Sequence, residues 1–154
     1  MVREGGRLRR RCRACGFTFY GNPVPAVVGI VVQRGRLLLA RRARPPYAGT
    51  WDLPGGFLEA GELPEPALRR EMREELGLRV GQARLVGFAS DRYGPRGFPV
   101  LTVVYRVIRA AGTVTAADDV GEARWFALAD VPWREIRFPG MRRLLRAHLR
   151  ARRR

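Results

Sequence analysis

The sequence predicts an α/β fold, either α+β or a three-layer α/β/α sandwich, and three observations carry that expectation. Apolar runs of strand length dominate the middle of the chain. One helical pattern sits at its centre, and a second lies near its C-terminus.

The elements follow in order. Residues 1–22 form a basic lead-in that holds Cys12-Arg13-Ala14-Cys15-Gly16, and Asn22-Pro23 closes it as a turn. Val24 to Val32 is the longest apolar run, which suits a buried strand and falls well short of the ~18–20 residues of a membrane span. Arg34-Gly35 turns the chain into a second strand, Arg36 to Ala40. Arg41 to Thr50 is expected as a loop, marked by Pro45-Pro46 and Gly49, and Trp51 to Leu53 as a short extended piece before Pro54-Gly55-Gly56. Pro64 to Leu76 reads as a helix, because proline suits a first turn and Leu68, Met72 and Leu76 recur at i, i+4 and i+8. Leu78 to Ala89 and Pro99 to Ala110 are Val-, Leu- and Tyr-rich strands, with Asp91 to Phe98 expected as a Gly/Pro loop between them. A strand at Ala123 to Phe126 and a helix at Gly140 to Arg152 complete the pattern. The expected division is a lead-in over 1–22, one domain over 23–150 and a basic tail over 151–154.

With 154 residues, 46% of them hydrophobic, the chain can bury a core of its own. Met1 to Gly6 lacks the apolar stretch of a secretory signal, so a cytoplasmic protein with no membrane association is expected. Basic residues number 30 against 14 acidic, a net charge of +16, and every one is arginine. Two readings compete: a phosphate-bearing partner, whose oxygens match guanidinium forks, or GC-rich codon usage.

Absences narrow the chemistry. Without lysine no side-chain Schiff base can form. The single histidine, His148, and the single serine, Ser90, have no motif context, which argues against a nucleophilic triad. Carboxylates, arginines and a bound metal remain as the agents of any reaction.

Six of the 14 acidic residues fall between Glu59 and Glu75. Glu71, Glu74 and Glu75 share a helix face at i, i+3, i+4 and border the apolar stripe. Two such charges at 4 Å repel by ~1 kcal/mol in bulk water and about 4 kcal/mol at an effective dielectric of 20. They also sit toward the helix C-terminus, where the dipole disfavours negative charge. Either a hard divalent cation offsets this repulsion, or Arg69, Arg70 and Arg73 do.

Gly56, five residues, Glu62, seven residues, and then Arg70-Glu71-Met72-Arg73-Glu74-Glu75-Leu76-Gly77-Leu78 match the Nudix box at every defined position over 23 residues. Trp51-Asp52-Leu53-Pro54-Gly55-Gly56 resembles the family's entry to the box. Leu37-Leu38-Leu39-Ala40-Arg41-Arg42 resembles its second strand, and Glu122-Ala123-Arg124-Trp125-Phe126 its late strand, so the likeness covers about residues 20–150. It implies a Nudix α/β/α sandwich with a mixed sheet and a loop-helix-loop catalytic motif. It further implies hydrolysis of a nucleoside diphosphate linked to another moiety, with Mg²⁺ or Mn²⁺ polarising the diphosphate and activating a water. Carried over by position, Glu71, Glu74 and Glu75 become metal ligands, with the Gly55 or Gly56 carbonyl completing the shell. Arg70 orients the glutamates and Glu62 supports it. Glu122 matches a glutamate that some members add as a further ligand or base, with Asp118 and Asp119 as rivals. Glu71 is the first choice of general base, then Glu122 or Glu75. Leu63 departs from the family's usual Thr or Ser helix cap, a loss of ~1 kcal/mol.

Cys12 and Cys15 supply two of the four ligands of a structural zinc site and resemble the second half of a ribbon that precedes some Nudix domains. A vestigial reduced pair, zinc shared across a homodimer, and a redox dithiol are the three readings. Arg41, Arg42 and Arg44 could reach phosphates or form a solvated loop. Tyr20, Phe17, Tyr93 and Phe57 could stack on a base or serve the core. Tyr93-Gly94-Pro95 lies near where ADP-ribose-cleaving relatives carry a proline, so a small nucleotide-like substrate, ADP-ribose or a nucleotide sugar, is expected. The alternatives are a nucleotide-pool or RNA 5′-end pyrophosphohydrolase, with RNA not favoured, and a non-catalytic nucleotide sensor.

Overall fold

A computed structural model describes residues 1–151. Nine strands and two helices follow one another: β1 (Val2–Glu4), β2 (Arg7–Arg11), β3 (Thr18–Phe19), β4 (Val24–Gln33), β5 (Arg36–Arg42), β6 (Trp51–Asp52), α1 (Pro64–Leu76), β7 (Arg79–Tyr93), β8 (Phe98–Ala111), β9 (Val120–Ala127) and α2 (Pro139–Ala151). The end of the expected C-terminal helix and most of the expected tail, residues 152–154, lie outside the described residues.

The main sheet is mixed, as expected. β4 and β8 pair in parallel from Val24↔Val100 to Val31↔Val107, and β7 runs antiparallel to β8. β9 lies antiparallel to β5. The two helices cover opposite faces. Val27, Val31, Leu38, Ala40, Val103 and Val107 pack with Leu68, Met72 and Leu76 of α1. Val28, Ile30, Leu37, Leu39 and Val104 pack with Met141, Leu145 and Leu149 of α2. This alternation is the period-two rule applied to a sheet buried on both sides. Gly29 lets α1 approach closely, since a Cβ there would fall 2.1 Å from the Met72 methyl carbon.

Helix α1 starts at Pro64 with Leu63 as an extended N-cap that makes no side-chain cap bond. It ends at Gly77 in the left-handed region, where the Gly77 and Leu78 N–H groups donate to the Arg73 and Met72 carbonyls.

One irregularity positions the site. β4 and β5 pair only next to their turn, at Val32↔Leu37 and Gln33↔Arg36, and then splay apart. The segment after β6 fills the gap. Gly29 N–H donates to the Pro54 carbonyl, and Val27 N–H to the Gly56 carbonyl. The Pro-Gly-Gly turn is thus laid along the edge of β4, facing α1.

One expectation needs correction. The link expected from Asp91 to Phe98 is much shorter, because β7 and β8 continue pairing to Tyr93↔Phe98 and leave only residues 94–97 as the turn. The lead-in carries a three-stranded antiparallel sheet of its own, β1-β2-β3. No helix among the described residues is long and apolar enough to cross a membrane.

Candidate functional site

A cavity of about 290 Å³ opens where β4 and β5 separate. Glu71 and Glu75 reach it from α1, Gly55, Gly56 and Phe57 from the glycine turn, and Asp118 and Asp119 from the turn before β9. Arg42, Asp52, Tyr93 and Thr102, with Phe138 and Met141 beside them, form the rest of the wall that matters here.

Glu75 is the most deeply placed carboxylate of the box, with 5% of its surface exposed. Its Oε2 accepts the Gly55 N–H at 2.8 Å. Burial pushes its carboxyl up to about 9; that hydrogen bond opposes the rise, and Asp119 and Glu71 add to it. Glu71 lies against the second glycine, where an added Cβ would stand 2.5 Å from its Oε1. Burial raises the Glu71 carboxyl above the usual range, while Arg70 pulls it back.

Arg70 ties the box together. Its Nε and Nη2 donate to the two oxygens of Glu62 at 3.0 and 2.9 Å. Nη1 donates to Glu71 at 2.7 Å and Glu74 at 3.1 Å, and Nη2 also reaches the Phe57 carbonyl at 3.1 Å. The Arg70 fork holds the Glu62 carboxyl below its ordinary value. One guanidinium therefore fixes the loop at Phe57 and Glu62 and aims two glutamates of the helix.

The two accounts of the acidic face divide by residue. Glu74 is shared between Arg70 and Arg73, and Arg69 pairs with Glu65 instead. Among the described residues Glu75 pairs with no arginine, and its close ionisable neighbours, Asp119 and Glu71, are acidic. Hard oxygens in a partly buried setting with too little positive charge suit a divalent cation, and Glu71, Glu75 and Asp119 fit such an ion in kind. As their side chains stand, no three histidine, cysteine or acidic groups among the described residues converge into a metal cluster. The Gly56 carbonyl already accepts a hydrogen bond from Val27, whereas that of Gly55 makes no such backbone bond outside the regular elements.

The remaining expected residues fall in different places. Arg42 lines the cavity, donates to the Tyr93 hydroxyl at 2.8 Å and stands 3.8 Å from Asp119. Tyr93 lies within an aromatic group, edge-on to Tyr47 and Phe57 and parallel to Phe138. Arg41 turns away, donating to the Gly49 carbonyl and pairing with Glu122. Glu122 is held by Arg41 and Arg124 on β9 and is absent from the cavity wall, whereas both its rivals, Asp118 and Asp119, are on it. Cys12 and Cys15 are free and exposed in the turn between β2 and β3. The Cys15 and Ala14 N–H groups lower the Cys12 thiol.

Asp52, Thr102, Phe138 and Met141 escaped sequence reasoning. Asp52 carried one available signal, a charge inside the otherwise apolar Trp51-Asp52-Leu53.

The chain is similar in sequence and fold to known proteins. The family model described as the NUDIX domain matches residues 23–147. An ADP-ribose pyrophosphatase of Methanocaldococcus jannaschii is 38% identical over 117 residues, which is 75% of this chain and 69% of that protein. A NAD-capped RNA hydrolase of Deinococcus radiodurans is 33% identical over 152 residues; the match takes in 92% of this chain but only 50% of that protein. The crystal structure of a MutT NUDIX hydrolase from Burkholderia pseudomallei superposes with a TM-score of 0.74 at 31% identity, covering 81% of this chain and 97% of that one.

Proposed function

Because the chain belongs to the Nudix hydrolase family, we propose that it cleaves the diphosphate linkage of a nucleoside diphosphate derivative, with ADP-ribose or a nucleotide sugar as its substrate. The observation that carries this is the single cavity that places Glu71 and Glu75 beside the aromatic group of Phe57, Tyr93 and Phe138. One end suits a cation and a diphosphate, the other a flat base.

Nudix hydrolases use divalent metals such as Mg²⁺ or Mn²⁺; Glu71, Glu75 and Glu74, with the Gly55 carbonyl and Asp119, are the groups to hold one. Bound there, it would supply positive charge to the diphosphate. The chain's own residues do the rest. Arg70 orients Glu71 and Glu74, and Glu62 anchors Arg70. Glu71 spends its Oε1 on Arg70, and its Oε2 is free to take a proton. Water attacks phosphorus, its proton passes to the Glu71 carboxylate, and the bridging P–O bond breaks to release two phosphate monoesters. Burial, which raises the Glu71 carboxyl, makes it a stronger base for that transfer. Arg42, held by Tyr93, supplies a guanidinium to the phosphate end.

The test is a panel of ADP-ribose, nucleotide sugars, nucleoside triphosphates and capped RNA with Mg²⁺ or Mn²⁺, with products identified by mass. ADP-ribose should yield AMP and ribose 5-phosphate. Preference for capped RNA, with binding that weakens steeply as salt rises, would favour the RNA reading, which the net charge of +16 supports.

A further inference from the structure

Strands β7 and β8 carry an arginine pair that no acidic group among the described residues offsets. Arg84 and Arg106 stand directly opposite each other in the register, so both side chains leave the sheet on one face. That face is the one α2 covers. Arg106 alternates with Val104 along β8 and pairs with Ile30 of β4, and Val104 and Ile30 share a core cluster with Met141, Leu145 and Leu149. Like charges directly opposite on a sheet repel. Neither arginine enters a salt bridge among the described residues. Asp91, the one acidic residue of the two strands, lies toward the turn that joins them and accepts the Gly140 and Met141 N–H groups instead.

Two donors of Arg106, Nε and Nη1, are buried and have no hydrogen-bond partner, and the same holds for Nε2 of His148. Helix α2 brings that imidazole to the pair. It passes β7 in the opposite direction: a Cβ at Gly140 would meet the Ser90 carbonyl oxygen at 2.5 Å, and one at Gly87 would meet Leu144 Cδ1 at 3.3 Å. His148, one turn beyond Leu144 on the same flank of the helix, continues this path toward Arg84 and Arg106. Buried guanidinium N–H groups are costly without an acceptor. Two adjacent guanidiniums match a dianion, whose tetrahedral oxygens both forks can share. An RNA phosphodiester brings one charge and a substituent on each side, which a place half-covered by α2 does not admit. None of the three residues lines the reaction cavity.

We propose that Arg84, Arg106 and His148 form a second anion site, which binds a phosphate dianion between α2 and strands β7 and β8. The dianion is inorganic phosphate or the terminal phosphate of a nucleotide. The site stands apart from the proposed reaction and does not depend on it.

The experiment follows the melting temperature and the binding heat of the metal-free protein as phosphate or AMP is added, with sodium chloride at equal ionic strength as the reference. Phosphate should raise the melting temperature beyond the chloride reference and saturate as one site. Arg106→Met and Arg84→Gln should each weaken that binding by at least about tenfold, since each removes charged hydrogen bonds to the ion. Arg42→Gln, which alters the anion end of the reaction cavity, should leave it in place. Arg106→Met removes an unpaired buried charge and should melt no lower than wild type in chloride; Arg84→Gln, at an exposed position, decides the matter should Arg106→Met fail to fold. AMP binding that is tighter than phosphate and lost in the same two variants assigns the site to a nucleotide; AMP binding that is weaker assigns it to the free ion. A gain no larger than with chloride, or one unchanged in folded Arg106→Met or Arg84→Gln, overturns the site. Binding of an unphosphorylated RNA oligonucleotide that these variants abolish, with no gain from phosphate, overturns the dianion in favour of RNA.

Discussion

The Gly55 N–H donates to the buried Glu75 carboxylate at 2.8 Å, joining the glycine turn to helix α1. The bond survives a change to glutamine, whose carbonyl oxygen can accept it, while the charge does not. Glu75→Gln should therefore fold, keep or raise its metal-free melting temperature near pH 7, and lose turnover by roughly 100-fold or more. Thermal melts and initial rates check this. A drop in stability would mean that the charged form is compensated within the fold.

The adjacent glycines should fail in different ways. Gly55 has φ +138°, and a Cβ there would lie 2.1 Å from the Val27 carbonyl oxygen. Gly55→Ala should destabilise by roughly 2 kcal/mol or more, since backbone must move. At Gly56 the obstacle is the Glu71 carboxylate. Gly56→Ala should keep most of its stability and lose turnover as Glu71 is displaced. Denaturant midpoints and kcat separate the two.

Much of the site was legible because helical spacing is rigid: the face shared by Glu71, Glu74 and Glu75, and the Arg70 next to them, follow from sequence offsets alone. The strands around them were legible as apolar runs. What was not legible depends on long-range pairing. The splay of β4 from β5, the extension of β7 to Tyr93, and the place of Asp52 and Thr102 on one cavity wall depend on separate strands, and no local pattern records them. Glu122 shows the same limit, since its pairing with Arg41 and Arg124 follows from the register of β9 on β5.

Asp52 gives a pH dependence with a definite sign. Its folded carboxyl is raised from 3.8 to about 7, so the folded state holds its proton more tightly than the unfolded one. Its contribution to stability is complete below pH ~4 and is lost as pH rises through about 7. The stability of Asp52→Asn relative to wild type should therefore grow across that window, by on the order of a few kcal/mol. Melting temperatures from pH 4 to 8 measure it; a constant difference would contradict the buried, uncompensated carboxylate.

Arg70→Lys should show what the fork contributes. Lysine cannot span Glu62, Glu71, Glu74 and the Phe57 carbonyl together. A loss of roughly 10- to 100-fold in kcat, larger than any rise in KM, is expected if Arg70 orients the glutamates rather than binding substrate.

The cysteine pair should prove separable from the reaction. Cys12 and Cys15 lie in the turn between β2 and β3 and are absent from the cavity wall. The Cys12→Ser/Cys15→Ser double variant should keep its turnover, whatever its metal content or mass in solution. Loss of turnover in a folded variant of unchanged mass would place the thiols in the chemistry.

The most direct test of the carboxylate-and-metal account is ADP-ribose hydrolysis by wild type and by the Glu71→Gln/Glu75→Gln variant, each with and without Mn²⁺. Wild type with Mn²⁺ should release AMP and ribose 5-phosphate, and chelation or the double substitution should abolish release from a protein that still melts cooperatively. Equal rates in the folded variant, or undiminished hydrolysis after chelation, would contradict the account.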